Sequence, residues 1–168
     1  MKELILGCGS RTKKDLYFEG NKYFQNETRL DINEDHCPDV VWDLTKHPLP
    51  FKDEYFDEIH AYEVLEHLAQ QGDYEFFFRE FTEYWRILKP GGHFFASCPA
   101  PSSVWAWGDP SHKRVISKET LVFLSKSEYE KQVGVTSMSD FRYLYKADFK
   151  TVYAEIKGDT TYFILRKC

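Results

Sequence analysis

The sequence has no apolar run near the roughly 18 residues that a membrane-spanning helix requires. Its four cysteines stand far apart without a Cys-x-x-Cys pair, so we expect neither a disulfide framework nor a metal site. An excess of basic charge is also absent. The 22 Lys and Arg against 27 Asp and Glu give a net charge of −5, which disfavours general nucleic-acid binding. Because a strand pattern begins at the N-terminus, we expect no signal peptide and a cytoplasmic location.

The third glycine of the dinucleotide-binding fingerprint is missing as well. The apolar run over residues 4–6 is typical of a buried parallel strand, and it ends at Gly7-Cys8-Gly9, where a tight turn lets a ligand approach the backbone. Thr12 stands where the fingerprint has its last glycine. The pattern therefore disfavours NAD and leaves open a nucleoside cofactor without a pyrophosphate.

Asp31 strengthens this interpretation. It lies 22 residues after Gly9, at the end of a second strand-like segment over residues 28–32. An acid about 20 residues beyond a glycine turn is typical of sites that bind the ribose hydroxyls of a nucleotide. The alternative is that Asp31 only starts a turn at the strand end, as Asp often does.

Strand and helix patterns alternate as far as residue 125, which predicts an α/β protein with a parallel sheet. Residues 10–27 lack helical periodicity, so the first crossover helix is expected to be short or absent. The 168 residues suffice for one core, and no linker or repeat divides them, so we expect one domain over residues 1–168. We further predict strands over residues 38–43, 56–62, 93–98, 149–157 and 160–166. A helix is expected to begin at Asp73 and end at Lys89-Pro90-Gly91-Gly92, and another is expected to be capped by Ser117.

Five segments carry a family resemblance: LILGCGS, LDIN, VVWDLTKHPLPF, FDEIHAYEVLEHL and RILKPGGHFFAS. In this order and spacing the chain resembles the class I S-adenosylmethionine-dependent methyltransferases over about residues 3–100. The resemblance implies a Rossmann-like, mostly parallel sheet of seven strands with a C-terminal antiparallel hairpin. It also implies S-adenosyl-L-methionine as cofactor.

The resemblance further implies roles for single residues. Asp31 would accept from the ribose hydroxyls, while Asp43 and the Leu44 N–H would meet the adenine. The alternatives are that Asp43 starts a turn and that Glu63 is a local partner of His67. The cofactor-binding residues predicted in this way are Gly7, Cys8, Gly9, Asp31, Ile32, Asp43, Leu44, Tyr62 and Glu63.

The segment over residues 99–114 follows a central strand, at the edge where α/β sheets place their ligands. We predict that it contacts the methyl acceptor and carries a general base, with His112 and Asp109 as first candidates and His67 behind them. The alternative is a structural lid over the cofactor. Because the Asn/Asp-Pro-Pro-Tyr element of DNA amino methyltransferases is absent, a small molecule, sugar or nucleotide is favoured as acceptor over duplex DNA.

Two other classes of function stay open. One is a catalytically inactive subunit that binds S-adenosylmethionine in a regulatory or structural role. The missing third glycine favours it, but the presence of both Asp31 and Asp43 speaks against it. The other is a nucleotide-dependent oxidoreductase, which the incomplete fingerprint disfavours.

Overall fold

The computed structural model describes residues 1–18 and 20–168, and seven strands within them form one sheet in the order β3-β2-β1-β4-β5-β7-β6. The strands are β1 (Glu3–Leu6), β2 (Glu27–Asp31), β3 (Val40–Val41), β4 (Phe56–Tyr62), β5 (Leu88–Pro99), β6 (Phe149–Lys157) and β7 (Thr160–Lys167). The α-helices are α1 (Tyr74–Ile87), α2 (Val104–Gly108) and α3 (Lys126–Gln132), and 3-10 helices span Glu34–His36, Leu65–His67 and Lys118–Leu124.

The sheet places the carboxyl ends of its central strands together. Strands β1 to β5 pair in parallel, whereas β7 is antiparallel to both β5 and β6. The strand order reverses between β1 and β4, and in such sheets ligands bind at this switch point beyond the carboxyl ends. The predicted Rossmann-like sheet of seven strands with a C-terminal antiparallel hairpin is therefore confirmed.

The first crossover contains no helix among its described residues. The chain between β1 and β2 instead folds on itself through a bridge between Lys13 and Tyr23. Lys14 is buried against the sheet, with Nζ 2.6 Å from Glu3 Oε1 and 2.7 Å from Glu58 Oε2. Buried charges are tolerated when they are paired in this way. An ionic contact thus attaches a polar loop to the sheet face that a crossover helix would otherwise cover.

Helix α1 begins where the sequence predicts. The Asp73 side chain accepts a hydrogen bond from the Phe76 N–H at 3.0 Å, which caps the helix. Its buried face includes Phe81 and Tyr84, whose rings pack on Phe94 of β5. Phe77, one turn before Phe81, is only half-buried and lies at the edge of this face.

The predicted boundaries differ from the structure in three places. The segment Lys89-Pro90-Gly91-Gly92 lies inside β5 rather than in a turn before it, because Leu88 already pairs with Phe56. The third strand shrinks from residues 38–43 to Val40–Val41 at the sheet edge. Ser117 precedes a 3-10 helix rather than an α-helix.

Candidate active site

A cleft of about 370 Å³ opens at the carboxyl ends of β1, β2 and β4, where the strand order reverses. Its position is the one expected for a ligand in an open α/β sheet. The cleft is lined by Gly7, Asp31, Ile32, His36, Trp42, Asp43, Leu44, Glu63, Val64, His67 and Leu68. Six of these residues, Gly7, Asp31, Ile32, Asp43, Leu44 and Glu63, were predicted to bind the cofactor.

Gly7 is required by the turn that ends β1. Its φ is +55°, and a Cβ there would lie 2.6 Å from Cγ2 of Val64. Any side chain would therefore force apart β1 and the segment after β4, in addition to the strain of the left-handed backbone. The glycine keeps the floor of the cleft open next to the backbone.

Asp31 holds the glycine turn in place and still offers oxygen atoms to a ligand. Its Oδ2 accepts from the Gly9 N–H at 2.8 Å and its Oδ1 from the Asn33 N–H at 2.9 Å, while His36 Nδ1 lies 3.1 Å from Oδ2. Burial raises the pKa of Asp31, but these hydrogen bonds outweigh it and leave the pKa below its ordinary value. The carboxylate therefore stays ionised, with lone pairs left for two hydroxyl donors.

Apolar and acidic groups stand at the far end of the cleft. Ile32 is 67% exposed and Leu44 is buried, and both add apolar surface to the lining of the cleft. Asp43 Oδ1 accepts from the N–H and hydroxyl of Thr45, so this oxygen forms the turn that we had considered as the alternative. The other oxygen, Oδ2, has no hydrogen bond among the described residues.

Cys8 and Tyr62 do not line this cleft. Cys8 is buried behind the turn, and burial raises the pKa of its thiol. The Tyr62 hydroxyl donates to the Leu16 carbonyl at 2.9 Å, so the ring secures the loop after β1. Gly9 contributes its N–H to Asp31 and its carbonyl to Arg29, and it too lies outside the lining.

Glu63 marks the end of β4. Its backbone is left-handed, with φ at +55°, and its N–H donates to the Ser97 carbonyl of β5. The Ser97 hydroxyl in turn donates to Glu63 Oε1 at 2.8 Å. This fixes a carboxylate at the mouth of the cleft, where it would meet a cationic group.

A second cleft of about 350 Å³ adjoins the first. It lies between the 3-10 helix Leu65–His67 and the segment that carries α2, and Glu63 and His67 belong to both clefts. The lining residues are Glu63, Glu66, His67, Pro99, Ser103, Trp105, Asp109, His112, Asp159 and Thr160. Helix α2 was not predicted. Its Trp105 lines the cleft, while Trp107 does not.

The three predicted catalytic residues meet in this second cleft. The rings of His67 and His112 are 4.7 Å apart, edge to face, and Asp109 Oδ2 lies 3.8 Å from His112 Nε2. Asp109 Oδ1 accepts from the Ser111 N–H and hydroxyl, which lowers the pKa of Asp109. The segment over residues 99–114, called the lid below, therefore places Asp109 and His112 next to His67 from another part of the chain.

Sequence reasoning missed Glu66. It is 2% exposed, and neither carboxylate oxygen has a hydrogen-bond partner among the described residues. Burial, together with the negative charges of Glu63 and Asp109, raises the pKa of Glu66 to about 8. Its position beside His67 in the VLEHL segment was the only sequence signal, and burial could not be read from it.

Residues 4–96, which are 93 of the 168 residues, match the family described as methyltransferase domain. The chain belongs to the methyltransferase domain family. S-adenosylmethionine is the cofactor of the class I methyltransferases, so the predicted family, enzyme class and cofactor are confirmed. No curated protein matches the chain.

Solved structures share the fold of this methyltransferase. An S-adenosylmethionine-dependent methyltransferase from Archaeoglobus fulgidus is 18% identical, with a TM-score of 0.58 over 99% of this chain and 86% of that one. The N-methyltransferase NodS from Bradyrhizobium japonicum, in complex with S-adenosylhomocysteine, is 14% identical, with a TM-score of 0.57 over 99% and 77%. A third match is the complex of the Haloferax volcanii Trm112 methyltransferase activator with a methyltransferase. It is 15% identical, with a TM-score of 0.61 over 99% of this chain and 82% of that one.

Within the described ranges, no helix of this methyltransferase combines the length and apolarity that crossing a bilayer requires. The longest described α-helix, α1, has 14 residues, five of which are charged. The cytoplasmic location stays a prediction.

Proposed function

We propose that this methyltransferase transfers the methyl group of S-adenosylmethionine to a small molecule, sugar or nucleotide by in-line displacement. The observation that carries the proposal is that two neighbouring clefts share Glu63 and His67 in their linings. One cleft has the residues expected to bind the cofactor, and the other has those expected to act on an acceptor. In-line transfer needs the two ligands to lie next to one another in this way.

On the cofactor side, the residues present fit the expected group. Asp31 would accept from the ribose hydroxyls, because it is ionised and keeps free lone pairs. Ile32 and Leu44 would enclose the adenine, and Asp43 Oδ2 would accept from its amino group. Glu63 would attract the positive charge at the methionine end. When bound, S-adenosylmethionine supplies a methyl group that its sulfonium already activates.

On the acceptor side, His112, Asp109 and His67 would activate the group that receives the methyl. Trp105 would supply an apolar wall, and the lid would exclude water. The lining carries Glu63, Glu66, Asp109 and Asp159 among its ten residues, so a phosphate group should not enter it. The part of the acceptor that enters this cleft is therefore neutral or cationic. We further propose that residues 1–168 act as one methyltransferase domain.

The experiment measures the transfer of label from radiolabelled S-adenosylmethionine to the small-molecule and macromolecular fractions of a cell extract. The proposal expects label in a small-molecule fraction, and expects the transfer to disappear in a variant with His112 replaced by alanine. Label in macromolecular fractions alone would contradict the acceptor class.

Calorimetric titration separates the other two classes of function. Binding of S-adenosylhomocysteine without any transfer would favour the inactive binding subunit. Binding of NAD in its place would favour the oxidoreductase. The polar cluster in the second cleft is the observation that makes an enzyme the better interpretation, since a binding subunit has no use for it.

A further inference from the structure

The floor of the second cleft contains a buried carboxyl group that no hydrogen bond from the described residues satisfies. Both Glu66 oxygens lack a hydrogen-bond donor, although the residue is 98% buried. Arg114 donates its Nη2 to Glu80 Oε2 at 2.6 Å and its Nε to the Leu65 carbonyl at 2.7 Å, and its Nη1 is buried without making a hydrogen bond to Glu66. A buried acceptor without a donor is costly, so a partner is expected.

The two neighbouring histidines present lone pairs to this carboxylate rather than protons. His67 Nδ1 lies 3.3 Å from the Ser111 carbonyl oxygen, and His112 Nδ1 lies 2.9 Å from the Trp105 carbonyl oxygen. A carbonyl oxygen only accepts, so each Nδ1 carries a hydrogen, and in this tautomer of imidazole Nε2 is the nitrogen that can bind a metal ion.

These two Nε2 atoms face Glu66 Oε1 at 3.9 Å for His67 and 4.0 Å for His112. The three candidate ligand atoms all lie within 4.8 Å of one another. Three groups that can each ligate a metal ion therefore converge without a hydrogen bond between them. Histidines that bind metal ions show this arrangement, with the remote ring N–H given to a backbone carbonyl.

We propose that Glu66, His67 and His112 bind one divalent transition-metal ion, with zinc as the ion that this donor set fits. Two imidazole nitrogens and one carboxylate oxygen are common zinc ligands at about 2.0–2.2 Å. A tetrahedral ion would hold its ligand atoms about 3.4 Å apart. Side-chain rotations would close about half an ångström between each Nε2 and Glu66 Oε1 and up to about 1.4 Å between the two Nε2 atoms, and His67 also lines the cleft.

The sequence predicted no metal site, and the reason is physical. His112 is 45 residues from His67 and comes from the lid, so no short motif records the site. Only the fold brings the lid over the 3-10 helix Leu65–His67.

The role of the ion rests on the proposed function. An acceptor hydroxyl that binds the ion would lose its proton more readily, since a bound metal lowers the pKa of a coordinated oxygen. Asp109 Oδ2, 3.8 Å from His112 Nε2, is placed to receive that proton. The histidines would then act on the acceptor through the metal instead of as free bases.

The test uses the full chain without a polyhistidine tag, freed of metal with EDTA. Zinc is titrated by calorimetry, and cobalt binding is followed by its visible absorption. We expect one ion per chain. Glu66→Gln and His112→Gln should each weaken zinc binding by at least the roughly 10- to 100-fold that loss of an outer-shell partner costs. His93→Gln, a half-buried histidine outside both clefts, should bind zinc like the wild type.

Absence of zinc and cobalt binding would overturn the proposal, and so would equal binding by the wild type and both variants. If Glu66→Gln fails to fold, His112→Gln on the lid decides alone. S-adenosylhomocysteine is titrated into the same metal-free samples. Failure of zinc binding with intact S-adenosylhomocysteine binding refutes the metal site only, whereas the reverse result refutes the proposed function only.

Discussion

Replacing Asp31 with alanine removes the carboxylate that we expect to bind the ribose. Each hydrogen bond to a charged acceptor contributes about 1.5–3 kcal/mol, and two hydroxyls would donate to Asp31. Water recovers part of this at the cleft rim, where Ile32 is exposed. At about 1.4 kcal/mol per tenfold, affinity for S-adenosylhomocysteine should fall about 10- to 1000-fold.

The same substitution should also lower the free energy of unfolding. The Gly9 and Asn33 N–H groups each lose their acceptor, at about 0.5–1.5 kcal/mol per bond. A loss of about 1–3 kcal/mol leaves a typical domain folded. Denaturant unfolding measures this loss and calorimetry measures the affinity, so the two effects are separated.

Asp39→Ala is the matched control. Asp39 Oδ2 accepts from the Arg29 N–H at 2.8 Å, also on β2, but Asp39 does not line the cleft. The Asp39→Ala variant should lose a comparable free energy of unfolding per hydrogen bond and keep its affinity for S-adenosylhomocysteine. Unchanged affinity in Asp31→Ala, or an equal loss in both variants, would refute the ribose role.

Further predictions concern the rest of the site and its support. Gly7→Ala should cost about 1–3 kcal/mol of unfolding free energy, because φ is +55° and Val64 stands in the way; a smaller loss would contradict the strain. Lys14→Met should cost about 3–5 kcal/mol in denaturant unfolding, since two buried carboxylates lose their cation; no loss would mean that they are protonated. His112→Ala should lower methyl transfer about 10²- to 10⁴-fold with S-adenosylhomocysteine affinity intact, and equal loss of both would place the residue in the cofactor site. Because the pKa of Asp31 lies below its ordinary value, its contribution to affinity should be constant above about pH 5 and fall only at more acidic pH, in calorimetric titrations compared with Asp31→Ala.

Much of the fold could be predicted because its signals are local. The run that forms β1, the cap at Asp73 and the Gly158-Asp159 hairpin each depend on neighbouring residues, and the structure has all three. The length of β3 could not be predicted, because an edge strand extends only as far as its partner, and β2 ends at Asp31.

The residues of the site also separate into those that local sequence predicts and those that only the fold brings together. Asp31 and Gly7 follow from their spacing along the chain, and both line the first cleft. Tyr62 shares a face of β4 with His60, as alternation along a strand requires, and that face points to the loop after β1 rather than to the cleft. Glu66 could not be found, since its burial depends on the segment over residues 99–114, which is distant in the sequence and lies across the second cleft from it.

A crystal structure with S-adenosylhomocysteine bound would test the central claim most directly. The account predicts the ribose hydroxyls on Asp31, the adenine between Ile32 and Leu44, and the sulfur on the side of Glu63 and His67, which line both clefts. A ligand bound elsewhere, or a sulfur that faces away from the second cleft, would contradict it.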